Sequence, residues 1–268
     1  MGFPMSAHRG PQGLERLRTE LSERDLIVLA SVASHRFLTG RQIEAFHFSE
    51  HASSVTGSRV CRRVLARLVE QRLLVRLERR VGGVRAGSAS YVYALGSAGN
   101  RLVSNPRGKR AEEPSRVFLD HTLAVADAHL ALLQAADARR FELISVETEP
   151  AAWRRFLNSA GARETLRPDL YVVSAQGEFE HCWFLEIDNA TESTPAVLRK
   201  CRQYQAYWRT GIEQQRSGTF PLVVWVTPND RRCKQLAEAI ASARKLQPEI
   251  FRAVASDELV ELVAVGAA

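Results

Sequence analysis

One stretch limits the fold more than any other. Asn105-Pro106-Arg107-Gly108-Lys109-Arg110 offers nothing apolar to bury and places a proline and a glycine within six positions. Such a run reads as a linker, because proline and glycine punctuate regular structure. It divides the 268 residues into two parts, in keeping with roughly 150 residues per domain. The expected organisation is a flexible tail over 1–19, a first domain over 20–103, a linker over 104–116 and a second domain over 117–268.

The two parts differ in charge. Residues 1–110 hold 19 Lys and Arg against 8 Asp and Glu, net +11, and residues 111–268 hold 18 against 22, net −4. A polyanionic partner is therefore expected for the first part. Ordinary globular usage, 45% hydrophobic and 25% charged, excludes a disordered or low-complexity chain. The longest apolar stretch, Leu26 to Ala33, is broken by Ser31 and falls far short of the ~20 residues of a membrane span, so no membrane partner is expected. Met1 to Gly13 lacks the apolar centre of a signal peptide, which makes the cytoplasm the expected compartment. Cys61, Cys182, Cys201 and Cys233 form no CxxC pair, which argues against both a zinc knuckle and a disulfide framework.

In the first part, Ser22 with Asp25 three positions on opens an apolar-periodic run in the manner of a capping box. Thr39 caps a second short helix, and a third runs from Ser58 to about Gln71. On the third, at 100° per residue, Val60, Cys61, Val64, Leu65 and Leu68 share one face, while Arg59, Arg62, Arg63 and Arg67 share the other. Strands follow at Leu73–Leu77 and Tyr91–Leu95, joined by a basic, glycine-rich turn with Arg79, Arg80 and Arg85. Three helices and a two-stranded wing are the order of a winged helix-turn-helix domain. An arginine face on its third helix suits the major groove of duplex DNA, and a basic wing suits the backbone. An acidic protein partner is the competing reading. DNA binding of this kind requires no cofactor.

The second part changes period. Phe118 to Ala138 reads as a long helix, Phe141–Glu147, Leu170–Ser174 and Cys182–Ile187 as strands, Thr194–Thr210 as a helix, Pro221–Thr227 as a buried strand and Asp230–Arg244 as a helix, with a last strand near Phe251. This gives an α/β domain of order αβββαβ, α+β for the whole chain. Asp169 opens one strand, Glu186 and Asp188 close the next on the same side, and Glu147 ends the first. Such carboxylates are candidate ligands for a hard cation, Mg²⁺ or Mn²⁺, with Asp169 and Glu186 as the pair best placed to hold it.

The order of elements, Pro168-Asp169 and Glu186-Ile187-Asp188 resemble the PD-(D/E)xK phosphodiesterases, whose domain is restriction-endonuclease-like. Gln203 and Tyr207 match the QxxxY motif of the RecB-like branch. The resemblance implies catalytic roles for Glu147, Asp169, Glu186, Gln203 and Tyr207. It also exposes a departure: Asp188 stands where active members carry a lysine, and Lys200 on the next helix is the candidate substitute, with Arg199 beside it as the alternative.

Over about residues 20–260 the chain resembles the replication-relaxation family of bacterial plasmids and integrative elements. The resemblance rests on Leu21-Ser22-Glu23-Arg24-Asp25, Phe118-Leu119-Asp120-His121-Thr122, Leu166-Arg167-Pro168-Asp169, Phe184-Leu185-Glu186-Ile187-Asp188 with Thr191-Glu192-Ser193, and Tyr204-Gln205-Ala206-Tyr207-Trp208. It implies a DNA-binding accessory or regulatory protein beside replication or mobilisation proteins, with a second copy of the chain as a further candidate partner. A Mg²⁺-dependent nuclease or nicking enzyme is the alternative, disfavoured by Asp188. His121 has two readings, an interior helix residue or a side chain facing the acids.

Overall fold

The structure, a computed structural model, describes residues 11–49, 54–77, 91–103 and 114–266. It divides into two compact units, residues 1–115 and 116–268.

In the first unit, α1 (Pro11–Glu20) precedes α2 (Glu23–His35). The tail expected over 1–19 is thus corrected from residue 11 onward: Leu17 is buried and anchors a helix there. At the start of α2 the Ser22 hydroxyl accepts from the Asp25 backbone N–H, and the Asp25 carboxylate accepts from the Ser22 backbone N–H. Thr39 and Gln42 repeat this reciprocal cap at α3 (Gly40–His47), which follows the short strand β1 (Leu38–Thr39). Each cap satisfies N–H groups that the first helical turn leaves without partners.

Then come α4 (Ser54–Glu70), β2 (Leu74–Leu77), β3 (Val92–Leu95) and α5 (Ser97–Val103). The strands form an antiparallel sheet in the order β1-β3-β2. Leu73 donates to the Leu68 carbonyl and Arg72, with φ +60°, to that of Val69, so α4 ends in a left-handed cap that turns the chain directly into β2. Gly96 and Gly99 let the entry to α5 close on that turn. A Cβ on either would sit 2.2 or 2.1 Å from a backbone oxygen of Arg72 or Leu73.

The second unit begins with α6 (Arg116–Asp137), then β4 (Glu142–Thr148), the two-stranded hairpin β5 (Arg154–Leu157) and β6 (Arg163–Leu166), β7 (Leu170–Gln176) and β8 (Phe179–Ile187). It continues through α7 (Thr194–Trp208), α8 (Ile212–Ser217), β9 (Leu222–Thr227), α9 (Asp230–Ala241), β10 (Phe251–Ala255) and α10 (Leu259–Val265). Five strands make one mixed sheet in the order β10-β9-β8-β7-β4, parallel across β10, β9 and β8 and antiparallel across β8, β7 and β4.

Alternation along the strands divides the core in two. Tyr171, Phe184, Val223 and Trp225 face Val197, Cys201, Tyr204, Leu236 and Ile240 of α7 and α9. Leu170, Trp183, Leu185 and Val224 face Leu132 and Ala135 of α6 and Leu259 and Val263 of α10. Helices on both faces of a mixed sheet are the α/β arrangement expected from the sequence. The β5–β6 hairpin was not expected. Its two four-residue strands are too short to register as periodic runs.

Candidate functional site

In α4 the apolar face is realised: Cys61, Leu65 and Leu68 are each at most 1% exposed. Arg59, Arg62 and Arg63 are exposed on the opposite side, together with Ala66. Arg62 Nε donates to the Ser58 carbonyl at 3.1 Å, which leaves the rest of its guanidinium outward. Arg59 and Arg63 have no ion-pair partner among the described residues. Arg67 departs from the row. Its Nη2 lies 2.6 Å from Oδ1 of Asp25, whose side chain is 1% exposed. Burial pushes the Asp25 carboxyl up, but hydrogen bonds from Arg67 and Ser22 outweigh it and hold the group below the ordinary aspartate range. Arg67 thus ties α4 to the cap of α2. In the sheet, Arg76 stacks on the Tyr91 ring at 4.0 Å. Arg79, Arg80 and Arg85 lie outside the described residues.

In the second unit the proposed acids separate into three groups. The first lies at the ends of β7 and β8. Asp169 Oδ2 accepts from the backbone N–H of Ile187 at 2.7 Å, and Oδ1 lies 3.1 Å from His121 Nε2 on α6. Glu186, buried, receives Lys200 Nζ on one carboxylate oxygen and the Tyr204 hydroxyl on the other. Lys200 and Tyr204 are one helical turn apart on α7 and so present one face to β8.

The electrostatics tie these side chains together. The hydrogen bond to Asp169 raises His121 above its ordinary value, against the effect of burial. Burial works to raise Asp169, but His121 and Lys200 bring it below the aspartate range. Burial dominates at Glu186 and raises it, although Lys200 opposes this. Burial works to lower Lys200; the Glu186 and Asp169 carboxylates overcome it and raise the group above its ordinary value.

The second group is a latch. Arg232 on α9 grips Asp188 with Nε at 2.6 Å and Nη2 at 3.2 Å, and Nη2 also donates to the Glu192 carbonyl at 2.7 Å. The third surrounds Arg154. Its Nε donates to buried Glu213 at 3.1 Å, its Nη1 to Glu147 at 3.3 Å, and its guanidinium lies over the Tyr171 ring at 4.4 Å. The Tyr207 hydroxyl donates to Glu213.

Of the seven candidate catalytic residues, the fold therefore brings together Asp169, Glu186 and Lys200. Glu147, Asp188 and Tyr207 each serve another ion-pair group, and Gln203 is exposed on the outer side of α7. The QxxxY frame is displaced: Lys200 and Tyr204 occupy the positions that face the acids. Tyr204 was the side chain given no separate role in the sequence. The signal that marks it is its i, i+4 spacing from the one lysine on that helix. His121 faces the acids.

Residues 29–223 match the replication-relaxation family model. The chain belongs to the replication-relaxation family. The matched span takes in the α4 arginines and the His121, Asp169, Glu186, Lys200 and Tyr204 group, and it ends before Arg232. No match was found among curated proteins or solved structures.

Proposed function

We propose that this protein binds duplex DNA through its first unit as an accessory or regulatory factor in the replication, relaxation or mobilisation of a plasmid or other mobile element. The observation that carries this reading is the α4 surface. Arg59, Arg62 and Arg63 project together from a helix whose other face is packed at Cys61, Leu65 and Leu68, and no acid of the described residues pairs with Arg59 or Arg63. The order α2, α3, α4, β2, β3, with β1 closing the sheet, supports a winged helix in which α4 enters the major groove. The family supports the setting in plasmid or mobile-element DNA. Replacing Arg59, Arg62 and Arg63 together with Gln should strongly weaken retardation of a plasmid-derived duplex in a gel assay while leaving the fold intact. Full retention of the wild-type shift would overturn the reading.

A second reading, cleavage or nicking of DNA by a PD-(D/E)xK-like domain, is favoured by one observation: Lys200 supplies a cation beside Glu186 where Asp188 does not. The cation Mg²⁺ or Mn²⁺ that such chemistry uses does not fit the residues as arranged. All four oxygens of Asp169 and Glu186 are engaged, by Ile187 N–H, His121, Tyr204 and Lys200. No group of three or more His, Cys, Asp or Glu among the described residues is placed to hold a metal ion. For a metal to enter, Lys200 and His121 have to release their carboxylates. The accessory reading is therefore preferred, and incubation of supercoiled plasmid with the protein and Mn²⁺ tests it, with nicked product as the contrary result.

A further inference from the structure

The β5–β6 hairpin has two unlike faces. Cross-strand partners in an antiparallel pair share a face. Phe156 pairs with Glu164 and Arg154 with Leu166, and this face is turned inward: Phe156 and Leu166 belong to the core beneath α7, and Arg154 is held by Glu213 and Glu147. Glu164 accepts from the Asn158 side chain at 2.6 Å. The other face pairs Arg155 with Thr165 and Leu157 with Arg163, and beyond these Arg167 stacks on Trp153 at 4.7 Å. Arg155, Arg163 and Arg167 are exposed, and Leu157 is 58% exposed.

The outer face therefore carries one arginine at each cross-strand level and no carboxylate. Successive levels are about 7 Å apart, two residues of strand rise. Neither Arg155 nor Arg163 has an ion-pair partner among the described residues. This positive surface stands on a part of the chain whose net charge is negative, so overall composition does not account for it. It is also firmly supported, because the inner face is locked into the core. Exposed cations on a rigid scaffold, left without internal partners, are what a phosphate backbone requires.

We infer that the outer face of the hairpin, Arg155, Arg163 and Arg167 with Trp153, is a second DNA contact, which holds the sugar-phosphate backbone. The inference rests on the reading of the chain as DNA-binding but uses residues independent of α4. Arg167 is followed by Pro168 and Asp169, so a backbone held there lies within roughly 7 Å of chain from the acidic group. The guanidinium on Trp153 leaves a planar cation facing solvent, suited to phosphate oxygens.

The test uses the full chain with a benzophenone side chain at one of two sites: position 157, on the hairpin face, or position 66, where Ala66 shares the exposed side of α4. Irradiation with a duplex should give a covalent DNA adduct from both. In parallel, Arg155→Gln, Arg163→Gln and Arg167→Gln combined should make the salt dependence of binding shallower by about 2 to 3 in log–log slope, at roughly 0.9 per phosphate contact. An adduct from 66 but none from 157, with the slope of the hairpin variant unchanged, overturns the hairpin contact and leaves the α4 reading standing. An acidic protein would then be the ligand to seek for this face. An adduct from 157 alone upholds the hairpin and removes α4, and no adduct from either site overturns both.

Discussion

On α4 and in the second unit's sheet, arginine and lysine are used in opposite ways. Among the described residues Arg59 and Arg63 face solvent without acidic partners, whereas the buried carboxylates of the sheet and its flanking helices each hold a basic side chain: Asp169 with His121, Glu186 with Lys200, Asp188 with Arg232 and Glu213 with Arg154. The difference follows from desolvation. A buried charge is costly unless it is paired, so the interior selects complementary partners at fixed geometry, while an exposed cation costs little and stays available to an external anion. Asp25 with Arg67 shows the rule within the first unit itself: the one arginine of the row that meets a buried acid leaves the row.

The comparison is broken most easily at its interior side. Arg232→Ala leaves Asp188 buried without its bidentate partner and should cost about 3–5 kcal/mol in a denaturant titration. Asp188→Lys, which would place two cations together, should be at least as damaging. Arg59→Ala, by contrast, should stay within about 0.5 kcal/mol of wild type. Equal effects at the two positions would erase the distinction.

The next largest effect concerns metal. A ligand present at a hundred times its dissociation constant adds about 2.7 kcal/mol. That would raise the melting temperature by a few degrees in a domain of this size. Because Lys200, Tyr204, His121 and the Ile187 N–H already engage the oxygens of these acids, Mn²⁺ should give no such rise in the wild type. A rise that disappears in Asp169→Ala would show that the pairs open for metal and would restore the nuclease reading.

A smaller effect depends on pH in the first unit. Burial, aided by the nearby charges of His35 and Arg24, lowers His47 to about 4. The unfolded chain takes up this proton at about 6.5 and the folded one only near 4. Stability tied to His47 is therefore complete above pH 6.5 and declines as pH falls towards 4. Melting temperatures of wild type and His47→Gln should converge over that interval, and parallel curves would refute the assignment.

How much of this was legible in the sequence varies with the range of the interaction. The caps at Ser22 and Thr39, the packed and arginine faces of α4 and the placement of Asp169 and Glu186 at strand ends follow from local spacing, and the structure has them. The pairing of Asp188 with Arg232 spans 44 residues, and that of Arg154 with Glu213 spans 59; no local pattern announces either. Helix α1 was hidden because Pro11 and Gly13 open it and one leucine anchors it. Gln203 of the QxxxY match lies outside because on α7 the turn facing β8 begins at Lys200 and includes Tyr204.

The central claim is that the exposed arginines of α4 meet phosphate and base edges. The salt dependence of duplex binding by the full chain measures this directly, because each phosphate contact contributes about −0.9 to the slope of log affinity against log salt. Wild type should show a steep line, and replacing Arg59, Arg62 and Arg63 with Gln should weaken binding and flatten the line by about 2 to 3. A variant that keeps both the affinity and the slope of wild type would contradict the account.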